Sequence, residues 1–237
     1  MLIDKSVNDF VDDLASDSPM PGGGGAAALA GALGAGLGLM VCSLTEGKEK
    51  YKDMQESIHE LKQQGTRLKE ELLQGVDGDG NSYLRIVNAY KLPKTNEIEK
   101  KARNRAVQEA TKEAARFSLS MAQKCLQVMR FAVDVVKSGN LNAASESLAS
   151  GLLAYAGVYA GLVTVEINLA SIHDPLFVQE IYAITLAVKE QAELLKEAIT
   201  AEAASRIVIN GLVSEPHKPS AVLSAPYPKI VVASPIP

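Results

Sequence analysis

The 237-residue chain has no tryptophan, two cysteines and three histidines, and each scarcity removes a class of function. Cys42 and Cys125 stand far apart, in no paired spacing, which argues against a disulfide framework. Each lies in an apolar or helical context that suits a buried free thiol, so a reducing, cytoplasmic setting is expected. His59, His173 and His217 are isolated from one another and from cysteine, so no metal-ligand set is present. Excess positive charge is absent as well. With 24 Lys and Arg against 28 Asp and Glu, the net charge is −4, which offers no footprint for nucleic acid or an anionic membrane surface. The beginning of the chain lacks a basic segment followed by an apolar run, so no secretory leader is expected.

Long apolar runs are present, but they are short of large side chains. Ala26 to Thr45 and Ser147 to Val165 are uncharged for about the ~20 residues that a bilayer requires. Both are built of Ala, Gly and Ser more than Leu, Ile and Phe. Acidic Asp12, Asp13 and Asp17, or Glu146 and Glu166, flank them in place of basic anchors. Small residues at Ala27, Gly31 and Ala35, and at Gly157 and Gly161, predict instead two buried helices packed closely at the centre of a bundle, with no membrane partner.

Helical spacing dominates the rest. Leu2 to Leu14 reads as a short amphipathic helix, and the Ala/Gly helix runs toward Thr45 and stops at Gly47. A charged helix follows from Lys48 to Leu73. Gly75, Gly78 and Gly80 are expected to break it, so that a new helix starts near Asp79 and ends at Lys91-Leu92-Pro93. Asn96 with Glu99 forms a capping-box pattern before a helix toward Phe117, and Ser118 to Lys137 is helical again. Asn142 is expected to cap the long segment through Ala170, and Pro175 to open a last helix through Leu212. No alternating strand pattern competes over comparable length. The expected fold is an all-α antiparallel bundle with long central Ala/Gly-rich helices over residues 1–213. Residues 214–237 hold six prolines and read as an extended tail.

Ser18-Pro19-Met20-Pro21-Gly22-Gly23-Gly24-Gly25 joins a proline-stiffened turn to residues without side chains at a helix start. Backbone N–H groups there can approach a ligand closely, next to the positive end of the helix dipole. Two familiar motifs are only imitated. Asp77, Asp79 and Asn81 resemble a calcium loop, but Ser82 and Asn88 occupy the places that need glycine and a bidentate acid. Gly22, Gly24 and Ala27 loosely match a dinucleotide fingerprint without its preceding strand. The remaining polar residues in unusual surroundings are Asp79, after three glycines, and Asn140, Asn142, Ser145 and Glu146 at the mouth of a nearly charge-free helix.

These residues carry a resemblance. Ser18 to Gly24, the Ala/Gly helix and Leu44-Thr45-Glu46-Gly47-Lys48…Tyr51 are followed in order by three more blocks. They are Asp79…Tyr83…Ala89-Tyr90-Lys91-Leu92-Pro93-Lys94, then Arg103…Val107-Gln108, then Gly139-Asn140-Leu141-Asn142-Ala143-Ala144-Ser145-Glu146. Together they resemble the cyclodeaminase/cyclohydrolase family over roughly residues 2–210. The resemblance implies an all-helical homodimer whose substrate is a tetrahydrofolate derivative, with no tightly bound cofactor or metal. Members close 5-formiminotetrahydrofolate to 5,10-methenyltetrahydrofolate with loss of ammonia, or hydrolyse the methenyl compound to 10-formyltetrahydrofolate. Two departures stand out: Gly25 where relatives typically carry Ser, and Glu146 where the pattern usually has Asp.

Either reaction passes through a tetrahedral carbon between two nitrogens and needs proton transfer beside a cationic centre, which carboxylates supply. The expected catalytic pair is Asp79 and Glu146, lining one pocket. Ser18, Pro21, Gly22, Gly23 and Gly24 would contact the pterin or the one-carbon unit. Lys91, Lys94 or Arg103 would meet the glutamate carboxylate, and Asn140 and Asn142 would line the site. A noncatalytic folate binder and a structural partner protein on the same bundle are the alternatives.

Overall fold

A computed structural model describes residues 1–206; the expectations for the final turns of the last helix and for the tail, residues 207–237, lie outside the described residues. The described residues form six α-helices and no strand: α1 (Val7–Leu14), α2 (Gly23–Thr45), α3 (Gln55–Tyr90), α4 (Glu97–Ser138), α5 (Ala144–Leu169) and α6 (Pro175–Arg206). Short 3-10 turns at Leu2–Asp4, Glu49–Met54 and Leu141–Ala143 complete the path. The all-α bundle is as expected, and α4 is one helix of 42 residues where the sequence suggested two segments. The cap is as expected, Asn96 Oδ1 accepting from Glu99 N–H at 2.9 Å, while Glu99 Oε2 reaches back one residue beyond it to accept from Thr95 N–H at 2.8 Å. The N-terminal segment differs from expectation, because Ser6 caps α1 by accepting from Asp9 N–H at 3.1 Å and so separates it from the preceding turn.

The expected break at Gly75, Gly78 and Gly80 does not occur. α3 runs unbroken through all three. Each glycine costs a helix about 1 kcal/mol relative to alanine, and here packing offsets that cost. A Cβ at Gly75 would fall 2.3 Å from Met121 Sδ, at Gly78 2.4 Å from Phe117 Cζ, and at Gly80 2.8 Å from Met20 Sδ. The missing side chains are the recesses that large neighbours fill. Asp79 therefore sits in the interior of a helix, not in its first turn.

A second correction concerns the approach to α5. Asn142 does not cap α5, whose N-cap is Ala143; Asn140 instead caps the 3-10 turn before it, its Oδ1 accepting from Asn142 N–H at 3.0 Å. Its Nδ2 donates to Leu44 O at 3.0 Å, and its own N–H donates to Thr45 Oγ1 at 2.9 Å. Tyr51 OH accepts from Leu141 N–H at 3.1 Å. This junction fastens the start of α5 to the end of α2, so the two helices must run antiparallel.

α4 packs against α2, α3, α5 and α6, while α3 flanks α2 and α6 flanks α5. α2 and α5 thus lie side by side in front of α4. They approach closely: Ser150 Oγ donates to Gly34 O at 2.6 Å, and a Cβ on Gly34 would lie 2.6 Å from Ser150 O. Behind them, the ring of fully buried Phe131 fills the space that side chains at Gly38 and Gly65 would occupy. Both helices are long and apolar enough to cross a membrane by length and composition, and 50% and 44% of their apolar windows are buried inside the bundle. Cys42 and Cys125 are buried free thiols, pushed up to about 11 and about 12 by burial.

On the flank, Glu193 of α6 accepts hydrogen bonds from Tyr155 OH at 2.8 Å and from Tyr159 OH, both on α5, and pairs with Lys196 at 2.6 Å. Burial alone would raise its pKa, but the bonds from Lys196, Tyr159 and Tyr155 prevail and hold the carboxyl at about 2. Because this folded-state value lies below the ordinary one, the stabilisation is complete above about pH 4.5 and lost as pH falls through about 2. The melting-temperature difference between wild type and Glu193→Gln should therefore be largest near neutrality and shrink across that interval in a thermal-melt series. Phe131→Ala, which empties the recess shared by two helices, should cost about 3–5 kcal/mol in a urea titration.

Candidate active site

The turn before α2 is held by its own side chains. Ser18 Oγ donates to Met20 O at 2.7 Å and accepts from Met20 N–H at 3.4 Å, the Met20–Pro21 peptide is cis, and Pro21 is buried. Gly22 is the N-cap of α2 and has no side chain to satisfy the first amides of the helix. Asp79 does so from α3: its Oδ2 accepts from Gly25 N–H at 2.9 Å. Gly25 is the third helical residue, the usual partner of an N-cap side chain, so a carboxylate distant in sequence takes that role.

The carboxylate lies directly over Gly24, where a Cβ would fall 2.1 Å from Asp79 Oδ1. At Gly23 nothing stands within 4 Å of the corresponding position, and the backbone is open there. Burial pushes the Asp79 carboxyl above its ordinary range, and the bond from Gly25 N–H opposes the shift without cancelling it. A half-buried acid with one oxygen pinned by an amide and a raised pKa suits proton transfer.

Ser18, Pro21, Gly22, Gly23, Gly24 and Asp79 are thus brought together. Lys91, the C-cap of α3, lies twelve residues and about 18 Å along that helix from Asp79, Lys94 follows in the connection to α4, and Arg103 stands on α4. Arg103 Nε donates to Tyr90 O at 3.0 Å and its guanidinium stacks over the Tyr90 ring at 5.1 Å, while Lys91 and Lys94 are exposed. Tyr83 and Tyr90 share the Asp79 stripe of α3 and are exposed, so an aromatic track joins the carboxylate to the basic end.

Glu146 is not in this group. Ser150 touches Gly34, α5 runs antiparallel to α2, and Glu146 precedes Ser150 by one turn. It therefore stands about 20 Å along α2 from Gly25. Within one chain the expected pairing of Asp79 and Glu146 in a single pocket does not form. Glu146 accepts from Ser145 Oγ at 2.7 Å, Asn142 is exposed beside it, and Asn140 is committed to the junction with Leu44 and Thr45. A shallow 420 Å³ depression lined by Glu46, His59, Lys62, Arg67 and Glu70 lies on the first half of α3, away from Asp79.

Asp77 anchors the first residues of the chain. Its Oδ1 accepts from Leu2 N–H at 2.6 Å, and its Oδ2 is buried with no hydrogen-bond partner among the described residues. Leu2 and Ile3 pack with Phe10 on Ala28 and Val76, so this bond ties the first residues of the chain beside the glycine turn.

Fold and site together define an all-helical protein with a perturbed carboxylate set on a glycine-built helix start. The chain belongs to the formiminotransferase-cyclodeaminase family, whose sequence model matches residues 6–185. It is 37% identical over 194 residues to a methenyltetrahydrofolate cyclohydrolase from Methylorubrum extorquens, covering 82% of this chain and 90% of that protein. It is 28% identical over 204 residues to the formimidoyltransferase-cyclodeaminase of Rattus norvegicus, of which it spans only 38%. A solved formiminotetrahydrofolate cyclodeaminase from Thermotoga maritima shares the fold, with a TM-score of 0.77 at 24% identity over 85% of this chain and 96% of that one.

The two neighbouring glycines should respond differently to substitution. Gly24→Ala forces Asp79 off the helix start and should lower both stability and turnover. At Gly25 a Cβ would meet only Val76 O at 3.4 Å, Pro21 Cβ at 3.8 Å and Asp79 Oδ2 at 3.9 Å. Gly25→Ser should therefore fold with a melting temperature near that of wild type, and thermal melts of the pair check the contrast.

Proposed function

We propose that this protein hydrolyses 5,10-methenyltetrahydrofolate to 10-formyltetrahydrofolate, acting in the cytoplasm as a homodimer and without a tightly held cofactor. The observation that carries this reading is the Asp79 carboxylate, half-buried, with Oδ2 held by Gly25 N–H and Oδ1 left to the site. Oδ1 takes a proton from water as the oxygen attacks the carbon between N5 and N10. The resulting carbinol collapses as the same proton is delivered to N5, the carbon–N5 bond breaks and the hydroxyl proton is released to solvent, leaving the formyl group on N10. The open backbone at Gly23 faces the pterin. Tyr83 and Tyr90 offer ring faces to the benzoyl part, and Lys91, Lys94 and Arg103 meet the glutamate carboxylates. Similarity along 90% of a cyclohydrolase supports hydrolysis.

Closure of 5-formiminotetrahydrofolate with release of ammonia is the second reading, favoured by the names of the animal relatives. It uses the same proton transfer in the opposite sense. Loss of methenyltetrahydrofolate absorbance above the uncatalysed rate establishes the first activity, and its appearance from the formimino compound the second. Tight folate binding without either, or no folate affinity, supports a binding or structural role instead.

Asp79→Asn should reduce kcat by about 10²–10⁴-fold. The folded-state pKa of Asp79 is raised, so its ionised form weakens the fold as pH rises through that value; the amide removes this cost and still accepts from Gly25. The variant should therefore melt at or above the wild-type temperature at pH 7. In the wild type, kcat/KM should rise with pH through an apparent pKa above the ~3.9 of a free aspartate, and a pH–rate profile reads this directly.

A further inference from the structure

The segment from Met1 to Leu14 lies on the bundle as a strap, and little holds it there. The turn Leu2–Asp4 packs on α3, and α1 reaches the bundle through Phe10, which is buried with Leu2 and Ile3 against Ala28 and Val76. The outward stripe of α1, Val7, Val11 and Leu14, is exposed. Among the described residues one hydrogen bond fastens the strap to the bundle, that from Leu2 N–H to Asp77 Oδ1 at 2.6 Å. The other oxygen of Asp77 is buried without a partner among the described residues. A carboxylate used in this way is a costly means of tying down a chain end, which points to a task beyond stability.

The strap ends beside the site. Gly80, next to Asp79, leaves a recess that two side chains share: a Cβ there would fall 2.8 Å from Met20 Sδ and 3.9 Å from Leu2 Cδ1. Leu2 thus backs Met20. Met20 is joined to buried Pro21, whose Cβ lies 3.8 Å from the place of a side chain on Gly25, and Gly25 N–H is the donor to Asp79. The contacts that begin at Asp77 therefore pass through Leu2, Met20 and Pro21 and finish on the cover of the Asp79 carboxylate. Asp77 itself is turned away: two residues apart on α3, the two acids leave the helix on nearly opposite sides.

We propose that Asp77 is a positioning residue for the proton transfer: by clasping Leu2 it presses the Met20–Pro21 turn onto the start of α2 and excludes water from the Asp79 carboxylate. In its kinetic part this rests on the reading of Asp79 given above. Water exclusion is what the strap controls, because charge does not enter. α2 has no charged residue, the Met1 amine pairs with Asp4 and Lys5 with Asp13 inside the strap, and Asp9, Asp12 and Asp17 are exposed. Arg85 of α3 pairs with Glu113 of α4 at 3.0 Å, and Tyr83 is the titratable side chain one turn beyond Asp79. Burial and the opposing bond from Gly25 set the proton affinity of Asp79.

Three substitutions in the full-length chain test this. Asp77→Ala removes the acceptor, Asp77→Asn keeps one for Leu2 N–H, and Phe10→Ala loosens the strap without altering α3. Two measurements need no substrate: hydrogen exchange of residues 3–14, and the titration of the Asp79 carboxyl by carbon NMR, assigned by its absence in Asp79→Asn. Asp77→Ala and Phe10→Ala should speed exchange in that segment about ten-fold or more and move the Asp79 titration down toward the ~3.9 of a free aspartate, while Asp77→Asn stays near wild type in both. The pH–rate profile should follow, the rising limb of kcat/KM shifting to lower pH and its plateau falling about ten-fold in the same two variants. Unchanged exchange in Asp77→Ala overturns the clasp. Faster exchange with an unmoved Asp79 titration leaves the strap a structural part only and overturns the positioning role, as does an Asp77→Asn protein that behaves like the alanine variant. Should Asp77→Ala fail to fold, Phe10→Ala and Asp77→Asn carry the decision. A wild type that turns over neither folate overturns the folate reading, while exchange and titration still decide the strap.

Discussion

The rest of the site depends on one contact, a carboxylate from the interior of α3 that caps the amino terminus of α2. A helix that starts with glycine at its N-cap cannot satisfy its first amides, and Asp79 supplies the missing acceptor from a neighbouring helix. That contact ties α2 to α3 and requires a residue without Cβ at Gly24, while burial of the acid raises its proton affinity against the opposing bond from Gly25. Structure and chemistry are not separable at this position.

The bundle around it converts small residues into close approach. Ser150 bonds to the backbone of α2, and Met121, Phe117 and Met20 fill the recesses along α3. Such packing leaves little freedom for α2 to shift along its neighbours, so the helix start and its carboxylate are held on rigid elements rather than on a loop. The second carboxylate, fixed at the far part of α2 by the Asn140 junction, is equally well anchored. The architecture therefore keeps the two acids apart within one chain.

Much of this was legible in the sequence. The 3.6-residue spacing of apolar positions, the Asn96–Glu99 box and the two Ala/Gly runs all declare helices, and the ordered motif blocks identify the glycine turn and Asp79. What failed had a common cause. Gly75, Gly78 and Gly80 read as breakers because local propensity cannot see Met121, Phe117 and Met20 arriving from other parts of the chain. Asn142 reads as the cap because its offset from α5 is favourable, whereas α5 has no side-chain cap and its approach is fixed by Asn140, whose bonds run to Leu44 and Thr45, almost a hundred residues earlier. Likewise the separation of Glu146 from Asp79 follows from the direction of α5, which no local pattern encodes.

Phe131 carries a consequence of another kind. Its ring fills the places of side chains on both Gly38 and Gly65, so three residues on three helices share one volume. A larger residue at either glycine is admissible only with a smaller one at 131, and a smaller one at 131 leaves a void unless a glycine is replaced. The three positions are thus expected to drift through evolution as a linked set, each change opening or closing the routes available to the other two.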